Sequence, residues 1–292
     1  MKSFIALIKR EYLEHKGVFL YGPLILTGLL VAGTAMPFFA GRMRADYFGD
    51  EISGTLKFYE LAFMAAIAGW ALYLLITLFF YYADAFSADK RNNAMLFWKS
   101  MPVTDLKILA SKMAAGLTLF PALIFVAILF SGAWAYVVAL MVHAQFPMFA
   151  PPGFLEALNS YWRVALSGLI FMALMLAWIC PLLAWVGALS TLVGRWAMPL
   201  AALVPAVLAL LENIFFKGEN GGYVANYLRF RADFGWARSA VQNQIISLGQ
   251  PDVVRFTADL ISHIDWGQMV AGWAFAIVVV VIASEYRRRV LD

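Results

Sequence analysis

Charge is scarce in this chain: 14% of its 292 residues are Asp, Glu, Lys or Arg, against about 25% in an average soluble domain. With 63% hydrophobic residues and a mean hydropathy of +0.77, that composition excludes a soluble globular domain and points to an integral membrane protein. Cysteine is nearly missing. The single Cys180 lies within an apolar run, which excludes an intrachain disulfide or a thiolate cluster and reads as a small packed hydrophobe. The three histidines, His15, His143 and His263, stand far apart, and neither H-E-x-x-H nor G-x-S-x-G occurs. There is no G-x-x-x-x-G-K-[ST] phosphate loop, so ATP hydrolysis by that device is excluded. The net charge of +4 comes with no basic tract suited to nucleic acid. On this reading the chain is not an enzyme and carries no catalytic residue, bound cofactor or metal.

What the chain has in quantity is long uncharged stretches. Val18–Ala40 and Leu61–Ala83 each run 23 residues without charge, Met113–Val142 runs 30, Val164–Gly194 runs 31 and Trp266–Ser284 runs 19. A fifth apolar run, Trp196 towards Phe216, follows Arg195 almost without a loop. About 20 apolar residues cross a hydrocarbon core, so six transmembrane helices are expected, the first a retained signal-anchor. Pro121 and Pro181 fall inside long runs and predict a kink or tilt. With both termini cytoplasmic, 13 of the 22 Lys and Arg residues lie inside, including Arg287, Arg288 and Arg289 after the last span. The fold class expected is therefore all-α, one transmembrane domain over residues 1–292.

Three of the segments outside the spans carry patterns of their own. Residues 1–17 place Met1, Phe4, Ile5, Ile8 and Tyr12 on one helical face, as in an amphipathic helix lying in the membrane interface. Residues 217–267 form an external loop with helical patterns of its own. Tyr223, Tyr227, Phe230 and Phe234 recur at helical spacing, and Val253, Phe256, Leu260, Ile261 and Ile264 do so after Pro251, predicting two external helices. By their spacing they read as an ordinary pair of membrane-surface helices. Glu212, near the outer end of the fifth run, has two readings. It is a possible substrate or gate contact, because intramembrane charge is expensive, or a residue at the headgroup level beside Asn213 and Lys217.

The third segment, residues 84–112, is a polar island between spans two and three. It carries Lys90, Arg91, Lys99, Lys107 and Lys112 against Asp84, Asp89 and Asp105, and so faces the cytoplasm. Inside it Met95, Leu96, Phe97 and Trp98 make an apolar cluster just before Met101-Pro102. The proline ends one helical segment near Ser100, and Thr104 or Asp105 caps the next.

These residues resemble the permease subunits of type-2 ATP-binding-cassette transporters. In that family the loop after the second span has an acidic-basic pair, a mixed stretch, a Pro-Val-Ser/Thr turn and a lysine opening the third span. The matching residues here are Asp89-Lys90-Arg91, Ser100-Met101-Pro102-Val103-Thr104 and Lys112. Asp89 stands where glutamate is usual, and Asn93-Ala94 where a Gly-Thr-like pair is common. The resemblance covers about a tenth of the chain, a loop whose motif gains meaning from the span pattern around it. It implies a permease subunit of an ATP-driven transporter, an exporter by family habit, in the inner membrane of a bacterial cell. A second permease chain, identical or related, would complete the path, and ATP and magnesium would sit in a separate ATPase subunit. That ATPase would grip Phe97, Trp98, Met101, Pro102 and Val103, with Asp89, Lys90, Arg91 and Lys99 as a charged rim. The competing class is a membrane-embedded assembly or regulatory protein without a transport path.

Overall fold

The computed structural model describes residues 2–41, 55–91, 104–147, 150–151, 153–215, 222–248 and 250–289. All regular structure among them is helical, and six helical segments are long and apolar enough to cross a membrane. Helix α1 covers Lys2–Glu14, and a π-helical turn at Gly17–Tyr21 leads into α2, Gly22–Phe39. Helix α3 covers Thr55–Arg91. Helix α4, Asp105–Ala114, passes through a second π-helical turn, Ala115–Leu119, into α5, Phe120–Gln145. Helix α6 covers Phe154–Val193, and a 3₁₀ turn at Gly194–Trp196 reverses the chain into α7, Ala197–Phe215. Three helices follow, α8 Tyr223–Ala232, α9 Gly235–Ile246 and α10 Val253–His263, before α11, Trp266–Arg289.

The core is α3 packed between α5 and α6, with α11 on the other side of α6. Hydrophobicity alone does not hold apolar helices together in lipid, so close approach and internal hydrogen bonds must contribute. Along α3 the large side chains Phe63, Ile67, Tyr82 and Phe86 each lie against a glycine, at Gly132, Gly168, Gly116 and Gly187 respectively. A methyl at Gly132 would overlap the Phe63 ring, and one at Gly116 the Tyr82 hydroxyl. The same seam carries hydrogen bonds: Trp70 Nε1 donates to Ser131 Oγ at 2.9 Å, Ser190 Oγ accepts from the Ser87 amide at 3.1 Å, and Ser160 donates to the fully buried Glu60 carboxylate. Helix α2 lies on α5, and α7 touches α6 and α8, leaving much of both exposed as apolar surface.

Several helices run past the uncharged stretches that announce them. Helix α3 begins at Thr55 and takes in Lys57 and Glu60; α6 begins at Phe154 and takes in Glu156 and Arg163. Absence of charge marks the apolar part of a helix, whereas the helix itself continues wherever a polar side chain finds a partner, as Glu60 does. Pro121 does not break a span. It lies within one continuous helical segment, Asp105–Gln145, and the irregularity that accommodates its missing N–H falls in the π-helical turn before it.

Among the described residues between the last two spans there are three helices, not two, because α9 has weak hydrophobic patterning and gives little periodic signal. The aromatic stripe of α8 is not its buried face: Tyr223, Tyr227 and Phe230 stay largely exposed while Arg231 is fully buried. On α10 the spacing reads correctly, with Phe256 and Leu260 buried against α9 and Trp178. In α1 the inward residues are Leu7 and Glu11, with Ile5 turned out.

Candidate functional site

Residues 92–103 lie outside the described residues, as do the side chains of Asp89, Lys90 and Arg91. The docking residues Phe97, Trp98, Lys99, Met101, Pro102 and Val103 therefore fall outside them, and what the structure displays is the root of the island. The chain re-enters at Thr104, which is extended (φ −75°, ψ 148°) and whose side chain accepts the Lys107 amide at 3.4 Å. Thr104 is thus the N-cap, and Asp105 places a negative charge in the first turn of α4, where the helix dipole favours it.

Two turns on, Lys112 is buried with 1% of its side chain exposed. A lone ammonium at such a site would cost several kcal/mol, so a carboxylate must meet it. It comes from α1: Glu11 Oε1 lies 2.9 Å from Lys112 Nζ, with 3% of the Glu11 side chain exposed. The Tyr81 hydroxyl of α3 stands 3.0 Å from Glu11 Oε2 and 3.2 Å from the Lys112 carbonyl oxygen. His15 packs edge-on to the Tyr81 ring at 4.8 Å, and its Nδ1 is 3.0 Å from the Glu11 carbonyl oxygen. The acidic groups here are already committed to cations, since Glu14 accepts from Arg10 at 2.6 Å while Glu11 holds Lys112. That commitment argues against the Glu11, Glu14 and His15 grouping as a metal site.

A second clamp brings in the last helix. Arg287 Nε of α11 lies 2.9 Å from Asp105 Oδ1, a charge contact rather than an aligned hydrogen bond, and Arg287 is buried. On the outer rim Lys107 Nζ donates to Ser3 Oγ at 2.6 Å. Helices α1, α3, α4 and α11 are therefore joined around the point where the island rejoins the bundle.

Directly beside this joint lie the two π-helical turns, one leaving α1 and one leaving α4. Phe19 in the first and Phe120 after the second stack with centroids 3.8 Å apart and parallel planes. A π-helical turn carries an extra residue and leaves the backbone ladder imperfect, which makes it a natural place for a change of direction. Tyr82 compensates by donating to the Met113 carbonyl at 2.9 Å.

A separate polar cluster lies at Pro181 of α6. Proline has no N–H for the Ala177 carbonyl, and its ring crowds the neighbouring turn. Helix α11 supplies the missing donor, since Trp273 Nε1 donates to Ala177 O at 3.0 Å, and at the next carbonyl Arg231 Nη1 of α8 donates to Trp178 O at 3.0 Å. Trp178 Nε1 in turn donates to the Arg231 carbonyl oxygen at 3.0 Å, and the guanidinium lies 4.5 Å from the centre of the Trp178 ring. Arg231 also donates to the Gln268 carbonyl oxygen and, at 3.2 Å, to the Tyr227 hydroxyl.

Glu212 lies at the end of α7, where its carboxylate accepts the Tyr223 amide at 2.5 Å and the Val224 amide at 2.8 Å. It caps α8, the next helix in the chain, with an anion at the positive end of the dipole. Neither Glu11, Arg231 nor Arg287 stands out in the sequence, because each is an ordinary charge in its segment and its partner lies tens to hundreds of residues away. The one usable signal was Lys112, a cation at the edge of a 30-residue apolar run that needed a partner.

The fold defines a multi-span, all-helical membrane protein with a charge-clamped joint at one end of its bundle. Protein-family models, curated proteins and solved structures contain no match to the chain.

Proposed function

We propose that this protein is the permease subunit of an ATP-driven transporter, acting as an exporter and coupled to a separate ATPase that docks on residues 84–112. A second permease chain, the same or related, completes the path. The observation that carries this reading is the double clamp at the island's root. Glu11–Lys112 and Asp105–Arg287 tie α1 and α11 to α4, while Tyr81 ties α3 to the same point. A force applied to the island then reaches the flanking spans and the N-terminal helix together, instead of dissipating in a loose loop. The motif resemblance supplies the source of that force. ATP and magnesium belong to the partner, and the work of this chain is to receive the displacement and pass it into the spans.

The test is purification of the tagged chain from its native membrane, with identification of what comes with it and assay of ATP turnover. An ATPase bearing a phosphate loop, bound in stoichiometric amount and lost on deletion of residues 92–103, is the expected result. A chain recovered without any ATPase would favour an assembly or regulatory protein with no transport path.

A further inference from the structure

An apolar groove with a volume of about 700 Å³ runs between α3, α6, α7, α8 and α11. Its walls are residues such as Leu75, Phe79, Ala202, Pro205, Leu208 and Phe275 on the candidate membrane spans, so its surroundings are hydrocarbon. The polar side chains in its lining are Tyr227 and Gln268, with the indole of Trp185 one turn of α6 beyond Pro181. Tyr227 and Gln268 are also acceptors for Arg231: the Tyr227 hydroxyl accepts from Nε, and the Gln268 carbonyl oxygen from Nη2. The guanidinium is fully buried, and among the described residues no carboxylate lies within 4.0 Å of it. Backbone carbonyls and the Trp178 ring satisfy its donors but do not cancel its charge. A buried arginine compensated only by dipoles leaves a positive potential at the groove end, strengthened by the low dielectric around it.

We infer that this groove binds an anionic amphiphile, its acyl tail lying along α3, α6, α7 and α11 and its acidic headgroup at Tyr227 and Gln268, in the field of Arg231. The tail requires an apolar trough of this size, and the volume falls within the range of ordinary ligand sites. The headgroup does not displace the arginine's partners. The Tyr227 hydroxyl, while accepting from Arg231, still has its own proton to donate, and Tyr227 is 40% exposed, so it relays the positive charge outward. Arg231 thus acts as a positioning residue that selects headgroup charge, while the walls select the tail. The inference is independent of the transport reading, because a resident lipid and a cargo lipid would use the same chemistry.

The experiment presents the full-length protein with equal phosphatidylglycerol and phosphatidylcholine of matched chains in mixed micelles, then counts retained lipids by native mass spectrometry. The wild type is expected to hold one phosphatidylglycerol per chain with roughly tenfold preference, the size of one charge-assisted hydrogen bond. Ala202→Phe, which fills the trough from α7, should reduce retention of both lipids. Tyr227→Phe should reduce retention of phosphatidylglycerol more than that of phosphatidylcholine, and Arg231→Gln should abolish the preference in whatever folded fraction is recovered. Equal retention of the two lipids by the wild type, or undiminished phosphatidylglycerol in Ala202→Phe, overturns the proposal. A disulfide between Leu208→Cys chains in a Cys180→Ser background, formed by lipid-free protein, would also overturn it and make the groove a contact between two copies.

Discussion

Lys112 and Glu11 are 101 residues apart in the chain and 2.9 Å apart in the structure, both with side chains almost wholly removed from solvent. Breaking such a pair from one side leaves an uncompensated buried charge and costs about 3–5 kcal/mol, whereas replacing both partners with apolar residues is often neutral. Lys112→Met and Glu11→Leu should each reduce thermal stability strongly, and the double variant should recover most of it. The double variant has lost its tie to α1, so under the proposed transport function ATP turnover and cargo movement should come apart in it despite restored stability. Melting curves and coupled assays at matched expression check both halves; a double variant as unstable as the singles removes the pair from the account.

The glycine notches along α3 predict a graded series. At Gly132 an added methyl meets the Phe63 ring, and at Gly116 it meets the Tyr82 hydroxyl that serves the Met113 carbonyl. Overpacking of this kind typically costs about 1–3 kcal/mol. Gly132→Ala and Gly116→Ala should lower the melting temperature of detergent-purified protein, while Gly28→Ala, which meets nothing within 4 Å, should not. Equal melting temperatures for all three would mean that α3 does not pack as described.

Glu212 caps α8 through two charge-assisted hydrogen bonds to its first amides. Glu212→Gln keeps an acceptor but loses the charge, and the loss should be about 1 kcal/mol, felt locally. Hydrogen exchange of the 222–232 amides should accelerate while transport stays near the wild-type rate. Abolished transport with unchanged exchange would make Glu212 a substrate or gate residue instead.

The proposed docking on the island would separate an apolar anchor from a charged rim. Truncating a buried interface aromatic often costs about 2 kcal/mol or more, and a rim charge less. Trp98→Ala and Phe97→Ala should deplete the copurified ATPase, Lys99→Ala should weaken it mildly and in a salt-dependent way, and Pro102→Ala should leave it bound but uncoupled. Full ATPase retention and normal coupling in both aromatic variants would assign the cluster to internal packing.

The membrane sidedness is open to direct labelling. In a Cys180→Ser background, cysteines at Ser100 and Asn243 should react from opposite faces of a sealed membrane. Reaction from the same face would end the arrangement with both termini and the island cytoplasmic.

What the sequence determined by itself was the number and rough position of the apolar helices, because a run of uncharged residues is a local property that any crossing of a bilayer demands. It also placed a cap at Thr104 or Asp105, a helical start at Pro251 and a hairpin at Arg195, each from residues a few positions apart; the fold takes Thr104 for the first cap and starts the later helix at Val253, behind an Asp252 cap. The tertiary structure decided the rest. Helix α3 extends to Thr55 because Glu60 meets Ser160 across 100 residues, and α8 buries Arg231 instead of its aromatic stripe because the Trp178 ring and the carbonyls of Trp178 on α6 and Gln268 on α11 receive its guanidinium. Whether Glu11 is a surface charge or half of a buried clamp depends on where α4 puts Lys112. A helical period identifies a face, but the partner that gives a charge its meaning comes from a distant part of the chain, and only the folded arrangement brings the two together.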